Sequence, residues 1–121
     1  MEWQYSEAKP VFLQIADRLR ERILGGLYLP GAQIPTVRAL AAELMVNPNT
    51  VQRALGVLEA QALVYSSGTQ GRFVTEDEAV LQGAKEILRR QTVRRFLARA
   101  EALGISAREI IQMIEEELEH E

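Results

Sequence analysis

A chain of 121 residues with 47% hydrophobic and 26% charged side chains has room for one small globular domain plus an appendage, and its composition excludes a disordered or fibrous protein. Cysteine is absent, which excludes a disulfide framework, a thiolate zinc site and a cysteine nucleophile, and fits a reducing cytoplasm. Net charge is −3, unevenly spread: residues 1–75 hold seven basic and six acidic side chains, residues 76–121 seven and eleven.

The start, Met1-Glu2-Trp3-Gln4, has neither the basic region nor the apolar run of a secretory leader. No stretch approaches the roughly 18 apolar residues of a membrane span. The expectation is a cytoplasmic protein with no membrane partner.

Pro10 suits the first turn of a helix, and Phe12, Ile15, Ala16, Leu19 and Ile23 follow at steps of three and four. Gly25-Gly26 ends that helix. Pro30-Gly31 marks a turn, and Ile34 is extended because the residue before a proline avoids the α region. Thr36 then caps a short helix from Val37 to about Met45, with Val37, Leu40, Ala41 and Leu44 inward. Asn47 caps the next helix, Pro48 takes its first position, and it runs to about Ala62. Its inner stripe is Val51, Ala54, Leu55 and Leu58. Asn49, Gln52, Arg53 and Gly56 share the opposite, polar side.

Leu63–Ser66 and Arg72–Thr75 are β-prone runs joined by Ser67-Gly68-Thr69-Gln70-Gly71, so a hairpin is expected. From Asp77 the helical period resumes: Val80, Ala84, Ile87 and Leu88 lead into Val93, Phe96, Leu97, Ala100 and Leu103, and Gly104 stops it. Ser106-Ala107-Arg108-Glu109 reads as a capping box flanked by an Ile105–Ile110 staple. Ile110, Ile111, Ile114 and Leu118 form the last helix's face, and the acids at its end oppose the helix dipole. The fold class is mainly α with a small β-hairpin: an N-terminal winged helix-turn-helix over residues 1–75, followed by a two-helix C-terminal arm over residues 76–121.

Thr36 to Arg53 carries the functional reading. Two short helices meet at Met45-Val46-Asn47, and the second offers amide and guanidinium groups from its first turns. A helix that reads the major groove needs this arrangement, since Asn or Gln pairs with adenine and Arg with guanine. The plainer alternative is the solvated face of a core helix.

Residues 8–75 closely resemble the DNA-binding domain of the GntR family of bacterial regulators. The resemblance is carried by Pro10-Val11-Phe12-Leu13-Gln14-Ile15, Leu29-Pro30-Gly31, Ile34-Pro35-Thr36-Val37-Arg38-Ala39-Leu40-Ala41, Val46-Asn47-Pro48-Asn49-Thr50-Val51-Gln52-Arg53-Ala54-Leu55 and Gly71-Arg72-Phe73-Val74. The short helical tail is similar to the YtrA-type branch of that family, whose members have a small dimerisation arm and no large effector domain. By position, the resemblance implies DNA contacts from Arg38, Asn49, Thr50, Gln52 and Arg53, and approach of the wing at Gly71 to the minor groove. Thr36, Thr69, Gln70 and Arg72 complete the expected double-stranded DNA surface. Many relatives carry basic residues where this chain has Pro48, Ser67, Gly68 and Gln70; Arg72 is the residue that would make up part of that charge. Arg38 pairing with Glu43 or Glu59, and Arg72 or Thr69 as ordinary hairpin surface, are the competing readings.

The tail's faces, Val80, Ile87, Leu88, Phe96, Leu97, Ile110, Ile111, Ile114 and Leu118, are too extensive to cover one another on two helices. A homodimer interface is the preferred reading, with packing back onto the head of a monomer as the alternative. Arg89-Arg90, Arg94-Arg95 and Arg99 read as a solvated face pairing with acids such as Glu86 and Glu101, rather than a second DNA site. An enzyme is not expected, because the single histidine, His120, lies in the last turn and no nucleophile or phosphate-loop motif is present. No cofactor or metal is expected; a small-molecule effector bound between head and tail or at a dimer interface is a further alternative, with no convergent polar cluster to mark its site. The overall expectation is a homodimeric transcriptional repressor on a pseudo-palindromic operator; the competing reading is a winged helix used for protein–protein contact.

Overall fold

The computed structural model describes residues 5–120; Glu121 and the Met1–Gln4 start discussed above lie outside them. The element order is α1 (Val11–Leu24), α2 (Val37–Leu44), α3 (Pro48–Ala60), β1 (Val64–Ser66), β2 (Arg72–Val74), α4 (Glu78–Ala102) and α5 (Ala107–Glu119). The chain divides into two compact units, residues 1–84 and 85–121, with the division inside α4. Among the described residues, no helix is long and apolar enough to cross a membrane.

In the first unit, α1 and α2 both pack on α3. The helical period brings Ile15 and Leu19 of α1, Leu40 and Leu44 of α2, and Val51, Ala54, Leu55 and Leu58 of α3 into one core. Leu63, Val64 and Val74 close it from the hairpin side. Each fully buried Val, Leu or Ile contributes roughly 1.5–3 kcal/mol. Leu81, which the periodicity reading passed over, is also buried in this unit.

The helix starts follow their caps. Thr36 Oγ1 accepts the Ala39 N–H at 3.1 Å, and Asn47 Oδ1 accepts the Asn49 N–H at 2.8 Å. Two helix ends fall short of the expected residue. α2 stops at Leu44 because Met45 turns left-handed (φ 58°), and α3 stops at Ala60, followed by left-handed Ala62 (φ 61°). Both are non-glycine residues in a conformation that glycine favours.

The hairpin is antiparallel, with Val64 opposite Val74, Tyr65 opposite Phe73 and Ser66 opposite Arg72. The Tyr65 and Phe73 rings stack at 5.7 Å. Residues 31–34, expected only as a turn and an extended run, also line β2. The Ile34 N–H donates to Arg72 O and the Val74 N–H to Ala32 O, both at 2.9 Å. β2 is thus flanked on both edges.

In the second unit, the Ser106 capping box forms in both directions, with Ser106 Oγ accepting the Glu109 N–H and Glu109 Oε1 accepting the Ser106 N–H. Only Ala100 and Ile110 among its apolar side chains are buried. The single apolar run expected along α4 resolves into two. At the helical period Leu81, Ala84 and Leu88 share one side, whereas Phe96, Ala100 and Leu103 lie about a quarter turn round from them.

Candidate nucleic-acid interface

The turn between α2 and α3 presents the N-terminus of α3 to solvent. Asn47, Pro48, Asn49, Gln52 and Arg53 are exposed there, with Thr50 half-buried. Pro48 occupies the first position without wasting a donor, because that N–H has no partner inside a helix. One turn of α2 adds Arg38, also exposed, beside Thr36 at the helix start.

Partners sort the basic side chains of the first unit. Lys9 pairs with Asp17, which also takes Arg20 Nη1 at 2.8 Å. Arg22 pairs with Glu43 and donates to Tyr28 Oη at 2.8 Å. Arg72 Nε donates to Glu59 Oε1 at 2.6 Å. Arg18 is also engaged. The Arg53 guanidinium lies over the Phe12 ring, 3.9 Å from its centroid, a cation–π contact that fixes its direction. Arg38 alone among the described basic residues of this unit has no ion pair, hydrogen bond or ring contact. Glu43 and Glu59, its two suggested partners, are taken by Arg22 and Arg72.

The wing is held from two sides. Glu59, on the last turn of α3, accepts from both Arg72 and the Ser66 hydroxyl, the latter at 3.0 Å. The hydrogen bond from Arg72 is the main reason its carboxyl titrates below the ordinary range. Arg72 is therefore a tether between wing and α3, not a cation at the wing tip. Gln33 Nε2 donates to Gln70 O at 2.6 Å. Gly71 sits at φ 106°, a left-handed conformation that glycine adopts without strain; a β-carbon there would also push aside the Gln33 amide, 2.7 Å away. Thr69 and Gln70 are exposed at the tip.

Sequence reasoning missed Phe12 as a platform, Glu59 as a strap and Gln33 as a wing support. Only Phe12 had a local signal, its place at the edge of the α1 stripe. The interface that remains is polar and carries little free charge: Arg38, Asn49 and Gln52, with Arg53 pinned beside them.

The sequence profile of the bacterial regulatory proteins of the gntR family matches residues 12–74. This chain belongs to the GntR family. The match covers the helix-turn-helix and both strands of the wing. It is 33% identical to the transcriptional regulator YhcF of Bacillus subtilis over 94% of each chain. It is 27% identical to the B. subtilis repressor YtrA over 88% of this chain and 83% of that one. A GntR regulator from Listeria monocytogenes superposes with a TM-score of 0.79 at 30% identity, covering 93% of this chain and 98% of its own. The DNA-binding domain of AraR, solved with operator ORX1, superposes with a TM-score of 0.55 at 32% identity over 62% of this chain and 92% of that one. As a GntR-family member the chain is a transcriptional regulator with an N-terminal DNA-binding domain, not an enzyme.

Proposed function

We propose that this GntR-family regulator is a repressor that binds a pseudo-palindromic operator as a homodimer, with residues 1–75 reading DNA and residues 76–121 joining the two copies. The observation that carries the DNA reading is Arg38, exposed and without a partner in the first turn of α2, together with the exposed polar start of α3. An unspent guanidinium next to helix-terminal N–H groups is suited to phosphate or a guanine edge. Asn49 and Gln52 supply base-reading amides, Arg53 a pre-aimed guanidinium, and Thr36 and Thr50 hydroxyls at the helix starts. Thr69, Gln70 and Gly71 form the wing edge that enters the neighbouring groove, oriented by Arg72 through Glu59.

The first 75 residues carry a net charge of only +1, so one head has little electrostatic affinity to offer. Two linked heads compensate, because the second binding event becomes intramolecular. Half-sites about one helical turn apart, or a multiple, follow from the two-fold arrangement. The repressor sign follows YtrA, whose likeness covers 88% of this chain and so extends beyond the head into the arm. A gel shift on the gene's own upstream region tests this reading. The wild type is expected to bind in a salt-sensitive manner and Arg38→Ala to bind less; no salt-sensitive binding to any promoter fragment refutes it.

A further inference from the structure

The chain enters the head through a short strap, residues 5–9, that is fastened at both ends. Gln14, near the start of α1, is the one buried polar side chain among the described residues. Its amide is spent on the strap: the Ser6 N–H donates to Gln14 Oε1 at 2.9 Å, and Gln14 Nε2 donates to Ser6 O and Lys9 O, each at 2.7 Å. A buried amide must find such partners, so Gln14 fixes where the strap runs. Lys9 adds its ion pair with Asp17 on α1.

The other end of the strap reaches the helix-turn-helix. Tyr5 Oη donates to Leu44 O at 2.6 Å. Leu44 is the last residue of α2, and the final carbonyls of a helix have no partner within it. The next residue is the left-handed Met45 (φ 58°, ψ 47°), and its N–H and that of Val46 both donate to Ala41 O. A β-carbon in that conformation crowds a carbonyl oxygen, at a cost glycine does not bear. The turn that sets α3 against α2 is thus strained at Met45, and a side chain from outside the motif grips the carbonyl just before it. Burial holds the Tyr5 phenol above its ordinary value, with Arg18, Arg22 and Glu43 as the charged groups it senses, so it remains a donor at neutral pH.

We infer that Tyr5 is a positioning residue for DNA reading: by holding Leu44 O it keeps the Met45 turn left-handed, and so sets Arg38 on α2 against Asn49 and Gln52 on α3. This rests on the DNA reading above. α2 is eight residues long, about 12 Å, so a tie at its last carbonyl bears on the whole helix, Arg38 included. Without the tie the turn relaxes toward unstrained backbone. Only heads with the turn intact then bind, which lowers the apparent affinity by that fraction. Glycine at position 45 needs no such tie, so the effects of Tyr5 and Met45 are coupled.

The test measures operator affinity by fluorescence anisotropy, at fixed salt and well below melting, for full-length wild type, Tyr5→Phe, Met45→Gly and the double variant. Tyr5→Phe removes only the hydroxyl and is expected to bind about three- to tenfold more weakly. In the Met45→Gly background the same change is expected to cost about twofold or less. Ile23→Val, a substitution in the buried core of α1, controls for general destabilisation and is expected to bind as the wild type does. Amide exchange at Val46, whose N–H closes the turn, is expected to speed up in Tyr5→Phe and not in Ile23→Val. Wild-type affinity in Tyr5→Phe overturns the inference, as does an equal loss in both backgrounds or an equal loss from Ile23→Val. A wild type with no salt-sensitive DNA binding refutes the DNA reading itself, and the positioning role falls with it.

Discussion

The head and the arm finish their chemistry in different places. In the head, six Leu and Ile side chains and the valines Val51 and Val74 are buried to below 2% exposure, and acids consume most of the cations. Around the start of α3 its leftover groups are mainly polar, Arg38, Asn49 and Gln52, although Leu27, Leu29 and Met45 stand exposed singly elsewhere on its loops. In the arm the exposed apolar side chains recur along both helices, Ile87, Val93, Phe96 and Leu103 on α4 and Ile111, Ile114 and Leu118 on α5. A leftover polar edge suits a polyanion with a readable groove, whereas a leftover apolar strip suits another protein surface. The head is closed by its own residues, and the proposed homodimer is what would complete the arm.

Substitutions that hit one region and spare the other break this comparison most directly. Leu55 is almost fully buried at the centre of the head, and Leu55→Ala should lower unfolding stability by roughly 2–5 kcal/mol. Chemical denaturation checks this, and a cost no larger than that of Ile114→Ala would erase the distinction. Ile114→Asp, on the exposed arm strip, should leave the head's unfolding unchanged. It should move the protein to monomer in sedimentation and weaken operator binding with it. Arg38→Ala should leave the melting temperature alone and cost about 1–3 kcal/mol in DNA affinity, read by fluorescence anisotropy at fixed salt.

The smallest effect concerns the strap between α3 and the wing. The Glu59 carboxyl is held below its ordinary value of 4.5 chiefly by the hydrogen bond from Arg72. A depressed value in the folded state means the stabilisation is fully present above 4.5 and is lost as pH falls through the lower, folded value. Both side chains are partly solvated, so about 0.2–1 kcal/mol is at stake. Glu59→Gln should abolish that acid-side loss in pH-dependent denaturation and shorten the wing's footprint on DNA.

The helices and their starts were legible because period and caps are local. Thr36, Asn47 and Ser106 each accept the N–H that a cap should take. The ends were less legible, because Met45 and Ala62 adopt left-handed turns without the glycine that normally announces one. The pairing of residues 31–34 with β2 is too short to show alternation. Exposure of Arg38, Asn49 and Gln52 followed from the polar side of a recognisable pattern. The contacts that orient Arg53 and the wing did not: Phe12 under Arg53, Glu59 on Arg72 and Gln33 on Gln70 join residues distant in sequence through geometry alone. The change of apolar face along α4 was present in the spacing, hidden by reading its two halves as one run.

The central claim is that two weakly charged heads act as one reader because the arm links them. The direct measurement is the stoichiometry and affinity of full-length wild type and Ile114→Asp on a selected operator, against a duplex carrying one half-site. The account predicts two chains per operator for the wild type, much weaker binding to the single half-site, and loss of that difference in Ile114→Asp. A wild type that binds one chain per site, with equal affinity for both duplexes and for the variant, would contradict it.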